Sequence, residues 1–378
     1  MIGKLSPQIQ AYAWGSRTVL AELTGRPAPT PEPEAELWMG AHEAAPSGIA
    51  GSTLDKLVAD DPVGTMGAAV VERFGGRFPF LLKVLAPERA LSIQTHPNAQ
   101  EALDAPAGTY ADAWPKPEAL VAVTPYEIFA GLRPYDEAAA LLRSLRVAQL
   151  TRLVDGAAAQ SEPMAALLAA VLRTEGAERA RLVDSVVGAC RVGDHGPAAD
   201  AIGAVLRIAE QFPGDIGLVV LPMMVHRVLQ PGDYVFVPAG VLHAYVRGTC
   251  VEILANSDNI VRAGLTPKQI NVEELLRIVD VHRAMVPEQA AGCRVQSFPV
   301  DVPHFQLHVV QPDDTPVGLP GHGGPRIALA LGGTVRVECP DGTVQLAPGE
   351  SCFLDASVAD AEASGQGTLY LATTGLSG

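Results

Sequence analysis

The chain has 378 residues, with 27 Lys+Arg against 42 Asp+Glu and a formal net charge of -15, so its overall field opposes non-specific binding to nucleic acid or to an anionic membrane. An anionic small substrate therefore needs a local basic pocket, and the length leaves room for two or three domains. Five cysteines with no C-x-x-C pair argue against a disulfide framework or a cysteine-only zinc site, and no run of about 18 apolar residues or N-terminal export signal is present, which together point to the cytoplasm.

Residues 1–132 read as short strands and turns, with two apolar β-like runs on either side of a turn at 86–88. Within this stretch only 53–60 and 63–74 carry helical spacing. From 136 to 212, Ala, Leu and Arg recur at helical intervals, which predicts an all-helical insertion of about four helices. The strand pattern returns after Pro213. Two segments, starting at Leu229 and at Leu346, share the pattern L-x-P-G-[DE]-x-x-F-x-x-A, which implies two similar β-units. The first copy continues to His243, whereas the second has Asp360 at the matching place. The second unit is thus expected to keep the barrel without the chemistry. The predicted division is a discontinuous barrel over 1–135 and 213–290, a helical insertion over 136–212, and a degenerate barrel over 291–378.

Chemistry concentrates in two segments. A strand through 92–96 places Ser92, Gln94 and His96 on one face and Ile93 and Thr95 on the other. Left buried without a ligand, each of those polar groups would cost roughly 1–3 kcal/mol. The second segment runs from Gly232 through Pro238 and Gly240 to His243, and it matches the second motif of cupin barrels, in which the histidine points inward. Either histidine alone is more often a core or turn residue. Together in these two motifs they read as metal ligands.

Further segments extend the pattern: Tyr12-Ala-Trp14-Gly-Ser16, Glu36-Leu-Trp38-Met-Gly40 followed by His42, Lys116-Pro-Glu118, His243-Ala-Tyr245, Asn256-Ser-Asp258-Asn, and Arg262 through Pro267-Lys268. In this order they resemble the type I mannose-6-phosphate isomerases, zinc enzymes built from cupin (jelly-roll) β-barrels with a helical insertion. The resemblance spans essentially the whole chain. It implies a mainly β fold of two barrels plus a helical domain, and one zinc ion held by Gln94, His96, Glu118 and His243. Arg262, Glu252, Lys116 and Asp258 then match catalytic or polar pocket residues, and Trp14, Glu36, His42, Ser92, Tyr245 and Lys268 match substrate-binding positions. Pro115 departs from the family, many of whose members carry histidine there.

Two imidazoles, a carboxylate and a neutral amide would leave zinc with a net charge of about +1 and an open position, a usable Lewis acid. The implied reaction interconverts mannose 6-phosphate and fructose 6-phosphate through a cis-enediol, with Glu252 or Asp258 as the proton-transfer group. The implied enzyme is a cytoplasmic monomer acting on a small sugar phosphate, without nucleic-acid or membrane partners. The alternatives are another cupin metalloenzyme, such as an iron oxygenase, and a sugar-phosphate-binding cupin that does not turn over its ligand.

Overall fold

The computed structural model describes residues 1–289 and 292–376. The expected boundary between the two β-units, at 290/291, lies outside the described residues. The molecule is mostly β-sheet with helices, and its sheets are assembled from antiparallel pairs.

Two sheets form the centre of the molecule. In the six-stranded one the order is Tyr234–Val237, Glu118–Ala122, Cys250–Ala255, Phe80–Leu85, Glu36–Gly40 and Gln8–Gln10. In the five-stranded one it is Met224–Leu229, Tyr126–Leu132, His243–Arg247, Ile93–Thr95 and Val261–Gly264. Both faces of each sheet are occupied. Ala119, Val121, Leu82, Val84, Val251 and Ile253 on one face of the larger sheet join the core shared with Phe305, Ile327, Leu329 and Phe353 of the C-terminal sheet. Ile93, Ala244, Val246, Val261 and Ala263 on one face of the smaller sheet pack into the helical core with Leu142, Leu168, Val186 and Ile208. The intervening residues, at period two, turn to the space between the sheets. Hence strands such as Phe80–Leu85 are buried along their whole length and still carry a lysine.

The ten-stranded third sheet contains the remaining C-terminal strands and also the first strand of the chain, which pairs Ile2 with Leu354 and Leu5 with Ile49. The two copies of the repeat occupy matching places. Leu229 and Leu346 each end a strand, Gly232 and Gly349 turn at φ 91° and 82°, and Tyr234–Val237 and Ser351–Leu354 follow. In both turns the acidic residue accepts from a backbone N–H three positions earlier, Asp233 from Gln230 and Glu350 from Ala347, each at 2.8 Å. Asp360 is exposed.

The helical expectations need three corrections. The 63–74 helix divides into Pro62–Met66 and Ala68–Phe74, because Gly67 sits at φ 90° where a Cβ would collide with the carbonyl oxygen of Gly323. Four short helices, Val19–Leu23, Ala99–Asp104, Gly217–Val220 and Val272–Ile278, were not expected; Ala99–Asp104 is fixed by a capping box between Asn98 and Glu101. Over 136–212 there are five α-helices rather than about four. Arg146, at φ 56°, ends the first, and Ala148–Ala158 forms an additional one before Pro163–Leu172, Gly176–Val192 and Ala199–Gln211. No helix among the described residues is long and apolar enough to cross a membrane.

One buried carboxylate fastens the helices to the smaller sheet. Glu127 accepts from Arg207 of the last long helix and from Arg247 of a neighbouring strand, each at 2.6 Å, and lies 2.8 Å from His226 Nε2. Burial works to raise its pKa, but His226, Arg207 and Arg247 outweigh that and hold it at about 2. A carboxyl whose folded pKa is depressed contributes stability that is present above its unfolded pKa and lost as pH falls toward the folded one. Glu127→Gln is expected to cost about 2–3 kcal/mol at pH 7 by urea unfolding. The gap between the two proteins should narrow as pH drops from about 5 to about 3; a gap that stays constant over that range would count against the clamp.

Candidate metal centre and active site

The space between the two central sheets is a cavity of about 570 Å³. Strand pairing sets its polar lining: His243 is opposite Gln94, Gln94 is opposite Arg262, Glu252 is opposite Lys83, and Lys83 is opposite Trp38. Trp14, Glu36, His42, Ser92, Gln94, Lys116, Glu118, Tyr245, Glu252, Asp258, Arg262 and Lys268 all line this cavity. His96 and His243 are buried behind that lining, 1% and 0% exposed, in contact with the lining residues Glu118 and Gln94.

His96, Glu118 and His243, all buried, each offer one ligand atom, all within 4.8 Å of one another. His96 Nε2 lies 3.2 Å from Glu118 Oε1, and His243 Nε2 lies 3.4 Å from Glu118 Oε2. The far nitrogens are held by backbone carbonyls: His96 Nδ1 at 2.7 Å from the oxygen of Asn259, and His243 Nδ1 at 3.0 Å from that of Val241. Those contacts make Nδ1 the protonated nitrogen and leave both Nε2 lone pairs facing the carboxylate. Among the described residues, the buried His96 Nε2 has no hydrogen-bond partner. Gln94 Nε2 is 3.4 Å from His243 Nε2, so the amide reaches the same point, and its oxygen is the atom a cation would take.

Electrostatics favour the ligand forms. Burial and the neighbouring Lys116 push His96 down to about 4, so its imidazole is neutral at physiological pH. Burial opposes the Glu118 charge, but Lys116, with Nζ 3.0 Å from Oε1, holds its carboxyl well below the usual range. A neutral imidazole with an orphaned lone pair beside an ionised carboxylate is a donor set lacking its acceptor. It suits a divalent cation that takes mixed N and O ligands.

Around this point the polar groups form a chain. Tyr245 donates to Glu118 at 3.3 Å, and burial together with Glu118 and Glu252 raises its phenol pKa well above 10, so it stays a donor. Lys83 Nζ lies 3.3 Å from Glu36, 3.8 Å from Glu252 and 4.7 Å from the centre of the Trp38 ring. Burial disfavours its charge, yet Glu36, Glu252 and Glu118 together raise its pKa. Glu252, 3% exposed, is pushed up by burial and by Glu118. Asp258 is different: its side chain is 58% exposed, and the hydrogen bond to His42 Nε2, 3.3 Å away, lowers its pKa. It therefore belongs to the rim.

Sequence reasoning passed over Lys83, Tyr12, Arg89 and Phe212, which also line the cavity, and Asn259, whose carbonyl orients His96. Lys83 carried a readable signal, as a lysine in the middle of an apolar strand. Asn259 acts through its backbone, which no residue type announces.

Paired antiparallel sheets around two imidazoles, a carboxylate and a cavity of small-molecule size define a metal-binding β-protein with a ligand pocket. The model of the phosphomannose isomerase type I catalytic domain matches residues 2–135. The mannose-6-phosphate isomerase of Salmonella typhimurium is 33% identical over 391 residues, covering 97% of this chain and 98% of the relative. A mutant of the phosphomannose isomerase from Salmonella typhimurium superposes with a TM-score of 0.91 at 30% identity, covering 100% of both chains. A zinc-bound mannose 6-phosphate isomerase superposes at 0.89 and 31% identity, over 99% of this chain and 100% of that one. The chain belongs to the type I phosphomannose isomerase family.

If the three-residue cluster holds the metal, His96→Ala and Glu118→Ala should each weaken divalent-metal binding by at least the roughly 10–100-fold typical of lost supporting contacts. Elemental analysis after dialysis reads this directly. A metal concentration 100 times Kd should stabilise the unaltered chain by about 2.7 kcal/mol and either variant by no more than about 1.4 kcal/mol.

Proposed function

We propose that the chain is a zinc-dependent aldose–ketose isomerase interconverting mannose 6-phosphate and fructose 6-phosphate, with zinc held by Gln94, His96, Glu118 and His243. The observation that carries this reading is the orphaned, neutral His96 Nε2 facing the ionised Glu118 in the lining of a sugar-sized cavity, in a chain whose full-length relatives bear that enzyme's name. In fold terms the reading is two jelly-roll barrels, over 1–135 with 213–290 and over 291–378, and a helical insertion over 136–212. The first strand crosses from one barrel to the other. The enzyme is read as a cytoplasmic monomer without nucleic-acid or membrane partners, and its five free cysteines suit a reducing compartment.

Bound zinc supplies Lewis acidity toward the oxygens at C1 and C2 of the open-chain sugar. The chain supplies the rest. Isomerisation moves one proton between C1 and C2 and another between O1 and O2, so one group that accepts the carbon-bound proton and returns it to the neighbouring carbon serves the first transfer, while the second passes between the two adjacent oxygens. Glu252 fits that task better than Asp258. It is buried, its raised pKa brings it nearer neutrality, and Lys83 beside it can compensate its charge. Asp258, exposed and lowered, is a weak base engaged with His42. Lys116 and Arg262 are cations placed to stabilise the enediolate oxygens, and Trp14, Glu36, His42 and Tyr245 line the sugar's space. Ser92 and Lys268 take the phosphate.

A coupled assay that detects fructose 6-phosphate formed from mannose 6-phosphate tests the activity, and zinc-loaded protein that shows no turnover would sink it. Glu252→Gln is expected to cut kcat by about 100-fold or more while zinc content is retained. Lys268→Ala should raise KM for mannose 6-phosphate by about three- to tenfold with little change in kcat, as loss of one exposed cation–phosphate contact.

A further inference from the structure

Charge is unevenly distributed along the cavity. Its four lining carboxylates are all engaged: Glu118 with Lys116, Glu36 and Glu252 with Lys83, and Asp258 with His42. Three lining cations, Arg262, Lys268 and Arg89, have no carboxylate within ion-pair distance among the described residues. Unpaired cations lining one cavity favour an anionic ligand there.

Chain connectivity brings Arg89 to the same rim as Lys268. Asp215 accepts from Leu265 N at 2.8 Å and Thr266 N at 3.2 Å, fixing the turn that presents Lys268. The residues leading into Asp215 hold Arg89: its Nη2 donates to the Gln211 carbonyl at 3.2 Å, and its guanidinium lies 5.8 Å from the centre of the Phe212 ring. The Gln211 side chain accepts from Ala90 N at 2.9 Å, which pins the backbone on that side as well. Arg89 is thus aimed by the exit of the helical segment, with one nitrogen tethered and the rest of its fork free for a ligand.

We propose that Arg89 is the second cation of a phosphate grip, joining Lys268 at the rim of the cavity and selecting phosphomonoester sugars over unphosphorylated ones. The inference rests on the sugar-phosphate reading above and adds to it a residue that an exposed arginine in a turn would not suggest. Guanidinium binds a phosphate dianion through paired N–H donors. In the unliganded rim those donors face solvent, and they gain a partner only when the phosphate enters.

The test uses zinc-loaded full-length protein, unaltered and as Arg89→Ala and Arg89→Lys. Two quantities are read: the kinetics of mannose 6-phosphate isomerisation, and the calorimetric Kd for inorganic phosphate alone. Arg89→Ala should raise KM and the phosphate Kd by about tenfold and leave kcat within about twofold. Arg89→Lys should fall between, because it keeps the charge and loses the fork. Metal content and melting temperature should not move. Unchanged KM and phosphate Kd in Arg89→Ala overturn the proposal, as does a fall in kcat at constant KM, which would assign Arg89 a structural part. Phosphate binding that depends on Arg89 in a chain that fails to isomerise would support the grip and overturn the isomerase reading instead.

Discussion

The structure turns on the burial of one carboxylate. Glu118 is 2% exposed, and an isolated ionised carboxylate moved to such a place would cost several kcal/mol even after relaxation. Lys116 and Tyr245 offset part of that cost as donors at 3.0 and 3.3 Å, and a cation shared with the His96 and His243 Nε2 atoms, 3.2 and 3.4 Å from the carboxylate, would offset the rest. Each of these partners needs its own fixed position. His96 is set by the Asn259 carbonyl and His243 by that of Val241, so loops on both sides of the cavity are tied to the same charge. Removing Lys116 would leave the cluster with excess negative charge near Glu252 and Glu36. The site is therefore a coupled electrostatic unit, whose members cannot be exchanged singly without shifting the pKa of the others.

Such a cluster can lie between two sheets only because both sheets are anchored from behind. The larger sheet rests on the C-terminal core and the smaller one on the helices. The helical segment does structural service here: its apolar side buries Ile93, Ala244 and Val261, the neighbours of Gln94, His243 and Arg262. The repeat makes the same point by contrast. Both copies keep the Pro-Gly turn, the carboxylate-to-backbone bond and the following strand, so these are scaffold. Only the first copy continues into a histidine whose strand pairs with Gln94. In the second, Asp360 is solvent-exposed, and the region inside that sheet is filled by Val335, Leu346, Leu354 and Leu371.

Strand period and turn chemistry made the site legible before the fold was known. Gln94 and His96 share a face because strands alternate, and the glycine–proline turn before His243 is a local signal that survives without context. The helices were read at the right place but miscounted. The break at Arg146 is a left-handed residue with no glycine or proline to mark it, and Ala148–Ala158 is a polar-faced helix that looks like a continuation. Lys83 was missed for a different reason. Its meaning depends on Glu36 and Glu252, which are distant in sequence and meet it only through strand pairing. Arg89 depends on the exit of an insertion more than 120 residues away. Chemistry written within a strand is readable; chemistry written across strands requires the register.

The chain's net charge of -15 and its phosphorylated substrate, as proposed, look mismatched until distance is considered. At physiological ionic strength the Debye length is about 8 Å, so most surface carboxylates act weakly on a ligand inside the cavity. The charges that count are those lining it. There the carboxylates are matched by Lys83, Lys116 and His42, while Arg89, Arg262 and Lys268 are left over. The imbalance is local and opposite in sign to the whole. In the proposed reading it also gives the substrate a direction: the phosphate stays at the rim with Arg89 and Lys268, and the carbonyl end of the open chain is delivered inward to Arg262, Glu118, Glu252 and the histidines. A single cavity thus separates the work of holding an anion from the work of moving a proton, and the acidic exterior leaves both undisturbed.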